Sequence, residues 1–146
     1  YHEVIDVIQD KKKINIEIKT QGRRFEDEEL VDEIMMDLRS RGLEDNVLLS
    51  SISPHIVEYI HESYPGISLG QIFLVSMSTY FKADWLTEQF YEKAQESGAD
   101  YLLLHGVNLK NYNSLIRLKP AEKKLVFWYF DDSMYLVHAT EKDVMW

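Results

Sequence analysis

The sequence predicts an α/β fold in which parallel strands, each followed by a helix, curl into a barrel. Two observations carry this reading. Strand-like apolar runs begin near residues 14, 47, 67, 101 and 125. That spacing leaves room for one helix between successive strands, and so for a parallel sheet with helices outside. The first run, Ile14-Asn15-Ile16-Glu17-Ile18-Lys19, alternates strictly, which puts three isoleucines on one face and Asn15, Glu17 and Lys19 on the other. A doubly wound sheet buries its central strands on both faces. A full polar face suits a closed barrel better, with the outer face on the helices and the inner face building a site near the C-terminal mouth.

Each element has its own local cause. Glu3 to Asp10 carries Val4, Ile5, Val7 and Ile8 at helical spacing. Lys11-Lys12-Lys13 marks the solvated end of that helix, where cations suit the dipole. After the strand Ile14–Lys19 the chain breaks at Gly22, and Phe25 to Arg41 is the clearest helix. Glu26, Asp27, Glu28 and Glu29 crowd its start, Arg39 and Arg41 its end, and Gly42 stops it. Leu30, Val31, Ile34, Met35 and Leu38 form its buried face, and Met35 and Met36 read as core filler. Val47–Ile52 is a short buried strand. Ser53 then caps a helix with Pro54 at its first position; Ile56, Val57 and Ile60 face inward and Pro65 lies beyond the end. Ile67–Val75 is a strand with Gly70 inside it, and Asp84–Ser97 is a helix carrying Leu86, Phe90, Tyr91 and Ala94, closed by Gly98. Tyr101–Leu104 is a buried strand, Asn111–Leu118 a weaker helix ending before Pro120, and Leu125–Phe130 the last strand. From Ser133 onward the pattern allows a helix or a hairpin through Tyr135–Ala139.

The 146 residues fit one domain, residues 1–146. The chain is 45% hydrophobic and 28% charged, as a packed core requires, and no apolar run reaches the length of a membrane span. A net charge of −9 argues against nucleic acid as the partner, because phosphate backbones need basic patches. The absence of cysteine excludes disulfides, thiolate metal sites and a cysteine nucleophile. It leaves the compartment open, with a cytoplasmic one favoured. The start at Tyr1 rather than Met, and the apolar end Val144-Met145-Trp146, read as cuts from a longer protein.

Glu17 and Lys19 stand two residues apart on one face, roughly 7 Å along the strand. A carboxylate and an ammonium side by side near a strand end can serve a divalent cation and a phosphate together. A half-exposed strand with solvated Glu17 and Lys19 also satisfies the alternation.

Five segments, in order, resemble the glycerophosphodiester phosphodiesterase family. Tyr1-His2-Glu3-Val4-Ile5 resembles the helix before that family's Ile-Glu-Ile-Lys strand, which Ile16-Glu17-Ile18-Lys19 matches throughout. Val47 to Pro54, VLLSSISP, resembles a strand ending in Ser-Phe-x-Pro, with Ile52 in place of the aromatic. Pro65-Gly66-Ile67-Ser68-Leu69-Gly70 and Gly98-Ala99-Asp100-Tyr101-Leu102 resemble the next two strands. Val126-Phe127-Trp128 resembles the strand that usually continues Trp-Thr-Val-Asn; here Trp128-Tyr129-Phe130-Asp131 departs from it.

The resemblance implies a triose-phosphate-isomerase-type (β/α)8 barrel, of which this chain would be the central and C-terminal part, about five of eight units. It implies metal-dependent hydrolysis of glycerophosphodiesters to an alcohol and glycerol 3-phosphate, with Mg or Ca as the cation. By position, Glu17 would be a metal ligand, Lys19 would contact the phosphate and Trp128 would line the substrate pocket. No catalytic residue is expected in this chain itself. The family's His-Arg-Gly, Glu-x-Asp and His-Asp motifs would lie upstream of Tyr1, so the chain alone is expected to be inactive. Its own histidines do not replace them: His2, His55 and His61 fall on predicted helices, His138 is unplaced, and His105 reads as a solvated loop residue in preference to a site residue. Besides the small substrate as partner, the open barrel edges are expected to be covered in one of two ways, by the remaining parts of the same protein or by a second copy packing across the gap. The alternatives are a non-catalytic barrel relative acting as a binding or interaction module, and another barrel enzyme acting on sugar phosphates or phosphoinositides.

Overall fold

The computed structural model describes residues 1–8, 12–74, 83–128 and, for the backbone alone, 144–145. Asp10, Lys11, Val75, Tyr129 to Asp131, and the segment from Ser133 to Asp143, His138 with it, lie outside the described residues. Helices α1 (His2–Ile8), α2 (Arg24–Arg41), α3 (Pro54–Ser63), α4 (Asp84–Gln95) and α5 (Tyr112–Leu118) alternate with strands β1 (Ile14–Glu17), β2 (Val47–Ser51), β3 (Ser68–Phe73), β4 (Tyr101–His105) and β5 (Lys124–Trp128). A short β6 (Val144–Met145) follows, and the order in the sheet is β1-β2-β3-β4-β5-β6. Every neighbouring pair is parallel. The sheet curls into part of a barrel with its helices on the outside. The five expected strands are present in chain order; β6 had no counterpart in the sequence reading.

Helix limits follow local chemistry. At the end of α2, Gly42 takes the left-handed conformation (φ 65°) and its N–H, with that of Leu43, closes on Arg39 and Leu38 carbonyls. Ser53 caps α3 by accepting the Ile56 N–H, with Pro54 at the first position. One expectation fails: Met35 is buried, but Met36 is 70% exposed. A helix turns about 100° per residue, so Met36 falls off the stripe that Val31, Met35 and Leu38 share.

Two apolar cores lie behind the sheet. Ile14, Ile16 and Ile18 pack with Val47, Leu49 and Leu69 against Ile5 of α1, Val31, Met35 and Leu38 of α2, and Ile56, Val57 and Ile60 of α3. Leu102, Leu104, Leu125 and Phe127 pack against Phe90, Tyr91 and Ala94 of α4 and Tyr112 and Leu115 of α5. The isoleucines of β1 therefore meet helices, as the alternation requires. Polar ties fasten the helices to one another. Asp32 of α2 accepts the Tyr59 and Tyr64 hydroxyls at 2.9 and 2.6 Å. The Tyr91 hydroxyl donates to the Leu115 carbonyl at 2.6 Å, and burial pushes that phenol's pKa up.

Arg41 joins α1 to α2: its Nε donates to Asp37 at 2.8 Å and its Nη1 to Asp6. The Arg41 hydrogen bond is the main cause holding the Asp37 carboxyl below the usual carboxylate range. A lowered folded-state pKa contributes stability that is present above the unfolded value, about 3.9, and is lost as pH falls through the folded value. Stability is therefore expected to fall modestly with acidification below about pH 4, because solvent screens this partly solvated pair. Denaturant melts of Asp37→Asn against the parent across that range check it: the variant should lose this part of the acid slope.

At the turn from α4 into β4, Gly98 has φ 67°, and an added Cβ would stand 2.8 Å from the His61 ring. Gly98→Ala is expected to destabilise by roughly 2 kcal/mol or more, from left-handed strain and the collision together. In a His61→Ala background the cost should drop to the strain alone, about 1–2 kcal/mol. Urea melts of the four proteins in this cycle measure both figures.

Candidate functional site

Parallel pairing fixes which side chains share the inner face. Register runs Glu17, Ser50, Gly70, Tyr101, Lys124 from β1 to β5. The outer face holds the two cores, so this row and the alternate residues around it face inward. Contacts agree: the Ser50 hydroxyl donates to the Asn15 side-chain oxygen at 2.8 Å, and a Cβ on Gly70 would meet Leu103 Cδ1 at 2.6 Å and Ser50 Cβ at 3.3 Å. Glu17 ends β1 on this face, Lys19 follows two residues later, and both are exposed. Trp128 ends β5 on the same face, half-buried. Glu17 and Trp128 thus end their strands on one concave surface, with Lys19 two residues past the end of β1, in the region where barrels carry their functional groups.

His105 joins them, contrary to the expectation of a solvated loop residue. It is the last residue of β4, pairs in register with Trp128, and sets its ring edge to face with the indole at 5.2 Å. The signal that finds it is its position directly after an apolar run. His2, His55 and His61 stand on α1 and α3, on the helix side; His55 Nε2 lies 3.2 Å from Glu28 Oε1.

The backbone carrying Lys19 is held on both sides. Before it, the Ile18 N–H donates to the Ser50 carbonyl at 2.8 Å and the Ile18 carbonyl accepts the buried Ser51 hydroxyl at 2.7 Å. After it, Asp27 of α2 accepts the Thr20 hydroxyl at 2.8 Å and the Gln21 N–H at 2.6 Å. Asp27 is 4% exposed. The sequence reading took it for a charge at a helix start; it is the clamp of the loop after β1. Gln71, buried on the outer face of β3, holds the end of β2 by donating to the Ser51 and Ile52 carbonyls at 3.2 Å. A groove of about 820 Å³, lined among others by Glu58, His61, Gln71, Phe73 and Lys93, opens on the helix side of β3 and includes none of Glu17, Lys19, His105 and Trp128.

Glu17 suits a hard cation in kind, as an exposed anionic oxygen donor beside Lys19. It is one ligand of the six or more such a cation takes. Among the described residues no three His, Asp or Glu side chains gather as a metal site, so this chain's described residues do not make a complete shell. Among the described residues no helix is long and apolar enough to cross a membrane.

Removing the Asp27 clamp should loosen the Lys19 loop without unfolding the barrel. Asp27→Ala is expected to cost roughly 1 kcal/mol, since it removes two hydrogen bonds that a buried carboxylate makes to the exposed Thr20 and Gln21. It should also speed amide exchange at Gln21 well beyond the change at Leu49. Residue-resolved hydrogen exchange separates the local from the global effect.

No family model matches the chain, and no curated protein matches it. Solved structures do. A glycerophosphodiester phosphodiesterase from Parabacteroides distasonis is similar with a TM-score of 0.62 at 12% identity, covering 82% of this chain and 45% of the other. A protein assigned as a glycerophosphoryl diester phosphodiesterase from Silicibacter pomeroyi gives 0.68 at 12% identity, covering 88% and 44%. An Oleispira antarctica phosphodiesterase in complex with its product sn-glycerol-3-phosphate gives 0.58 at 15% identity, covering 89% and 47%. The chain spans about half the length of these structures. At such identities the likeness establishes the fold: this chain is built as part of a barrel like theirs.

Proposed function

We propose that this chain is the central and C-terminal part of a glycerophosphodiester phosphodiesterase barrel. The observation that supports the reading is that Glu17 and Trp128 end strands on one concave face, with Lys19 two residues past Glu17, in a fold like that of these phosphodiesterases. A phosphodiester anion repels an attacking oxygen, so its charge has to be neutralised. Lys19 supplies a point charge to the phosphate. Glu17 would give one oxygen ligand to a divalent cation, Mg or Ca, with the remaining ligands from outside the described residues. When bound, that cation supplies Lewis-acid polarisation of the phosphoryl group. Trp128 lines the organic part of the substrate. Proton transfer falls to histidine motifs that this chain does not contain, so the 146 residues alone are expected not to turn over.

A second reading keeps the scaffold without the chemistry, as a binding or interaction module. Ile52 in place of an aromatic and the departure at Trp128-Tyr129-Phe130-Asp131 favour it. Metal-dependent hydrolysis of glycerophosphocholine by the full gene product decides between the two, and robust turnover excludes the second.

In an active protein, Glu17→Gln should weaken metal affinity and activity together, because an anionic oxygen is lost. Lys19→Ala should lower kcat/KM by roughly 100-fold or more with metal affinity kept. Isothermal titration with the metal and steady-state kinetics on both variants make the test; parent-like rates in both would overturn the site assignment.

A further inference from the structure

The contact between His105 and Trp128 is more than adjacency. The rings stand 5.2 Å apart at 80°, an edge-to-face pair of favourable geometry. His105 is itself fixed. Its Nδ1 accepts the Val107 N–H at 3.1 Å, and its carbonyl accepts from Asn108 Nδ2 at 2.9 Å. Asn108 is fully buried, in the 3-10 turn Gly106–Asn111. That turn is tied to α4, where Asn111 Nδ2 donates to the hydroxyl of buried Thr87 at 3.1 Å. The imidazole is therefore held by the turn that follows it, and that turn is tied to the helix layer.

Among the described residues the indole has no such tether. Trp128 Nε1 is buried and has no hydrogen-bond partner among the described residues. No hydrogen bond from its N–H orients the ring there; among the described residues the edge-to-face contact with the His105 ring is the aromatic contact it makes. We propose that His105 is a positioning residue of the substrate mouth, its ring holding the Trp128 indole in the pocket wall. The inference rests on the reading of Trp128 as a substrate-lining residue, and the test below separates the two.

His105 does two jobs, and two substitutions divide them. In His105→Asn the side-chain oxygen can still accept the Val107 N–H, as asparagine does at such caps, but the ring is gone. In His105→Phe the ring edge stays and the cap is lost. The full gene product is labelled with fluorotryptophan, and the Trp128 signal in fluorine NMR is assigned by its loss in Trp128→Phe. Glycerophosphocholine kinetics are run on the same proteins. His105→Asn is expected to move or broaden the Trp128 signal and to raise KM about tenfold with kcat within about twofold, and His105→Phe to restore both. The opposite pattern would reduce His105 to a turn cap and overturn the proposal, as would equal changes in both variants or none in either. If the parent shows no hydrolysis, the phosphodiesterase reading fails, while the fluorine signals still decide whether His105 sets the indole.

Discussion

Register across the parallel ladders decides which side chains reach the concave face, because a slip of one residue would turn every side chain of that strand over. The outer rows hold that register. Ile16, Leu49 and Leu69 stand in line against the helices, and so do Leu102 and Leu125. Burying them removes apolar surface worth roughly 1.5–3 kcal/mol per large side chain, far more than any contact on the solvated side. The inner row of Glu17, Ser50, Gly70, Tyr101 and Lys124 follows from that burial. Leu48, Ile72 and Leu103 are buried on the inner face as well, but the polar row itself is placed by what lies behind it.

Row and strand end do not coincide. β1 ends at Glu17, within the row; β2 ends at Ser51, one past Ser50; β3 at Phe73, three past Gly70; β4 at His105, four past Tyr101; and β5 at Trp128, four past Lys124. In a flat sheet that offset would put Trp128 about 13 Å further along than Glu17, at the usual rise. A barrel of this type staggers its strands by about one residue each, which over the four steps from β1 to β5 cancels the offset. The stagger that closes a barrel is thus the geometry that brings a carboxylate on one strand level with an indole on another.

Much of this was readable in the chain because it is local. The cap Ser53-Pro54, the Gly42 stop and the isoleucine face of β1 each depend on a few adjacent residues. What could not be read depends on partners far away in sequence. Asp27 carries the same letters as its acidic neighbours, and only the loop folding back onto α2 makes it a buried clamp. Gln71 looks like a polar break in an apolar strand until the carbonyls at the end of β2 meet it. His105 was placed one residue beyond a strand that in fact includes it, a boundary error of the usual size, and that one residue moved it from loop to inner face. Glu17 and Lys19 follow from alternation and resemblance together and Trp128 from resemblance alone; alternation alone could not separate Glu17 and Lys19 from solvated side chains.

The candidate site divides its chemistry between two rims. Charge stands at the β1 end, in Glu17 and Lys19, and aromatic surface at the β4–β5 end, in His105 and Trp128. Between them Gly70 lets Leu103 and Ser50 close over the middle of the sheet, where a Cβ would collide with Leu103 at 2.6 Å. A ligand reaching both rims has to span this floor, so the separation of the rims matters as much as either one. Each rim is tied to a helix by a buried polar group: Thr20 and Gln21 to Asp27 of α2, and the turn after His105 to Thr87 of α4. These helices pack into different cores. The distance across the mouth is therefore governed by how two separately packed helix layers sit on one curled sheet. A cavity opened in either core would reach the site through its clamp without touching a residue on the inner face.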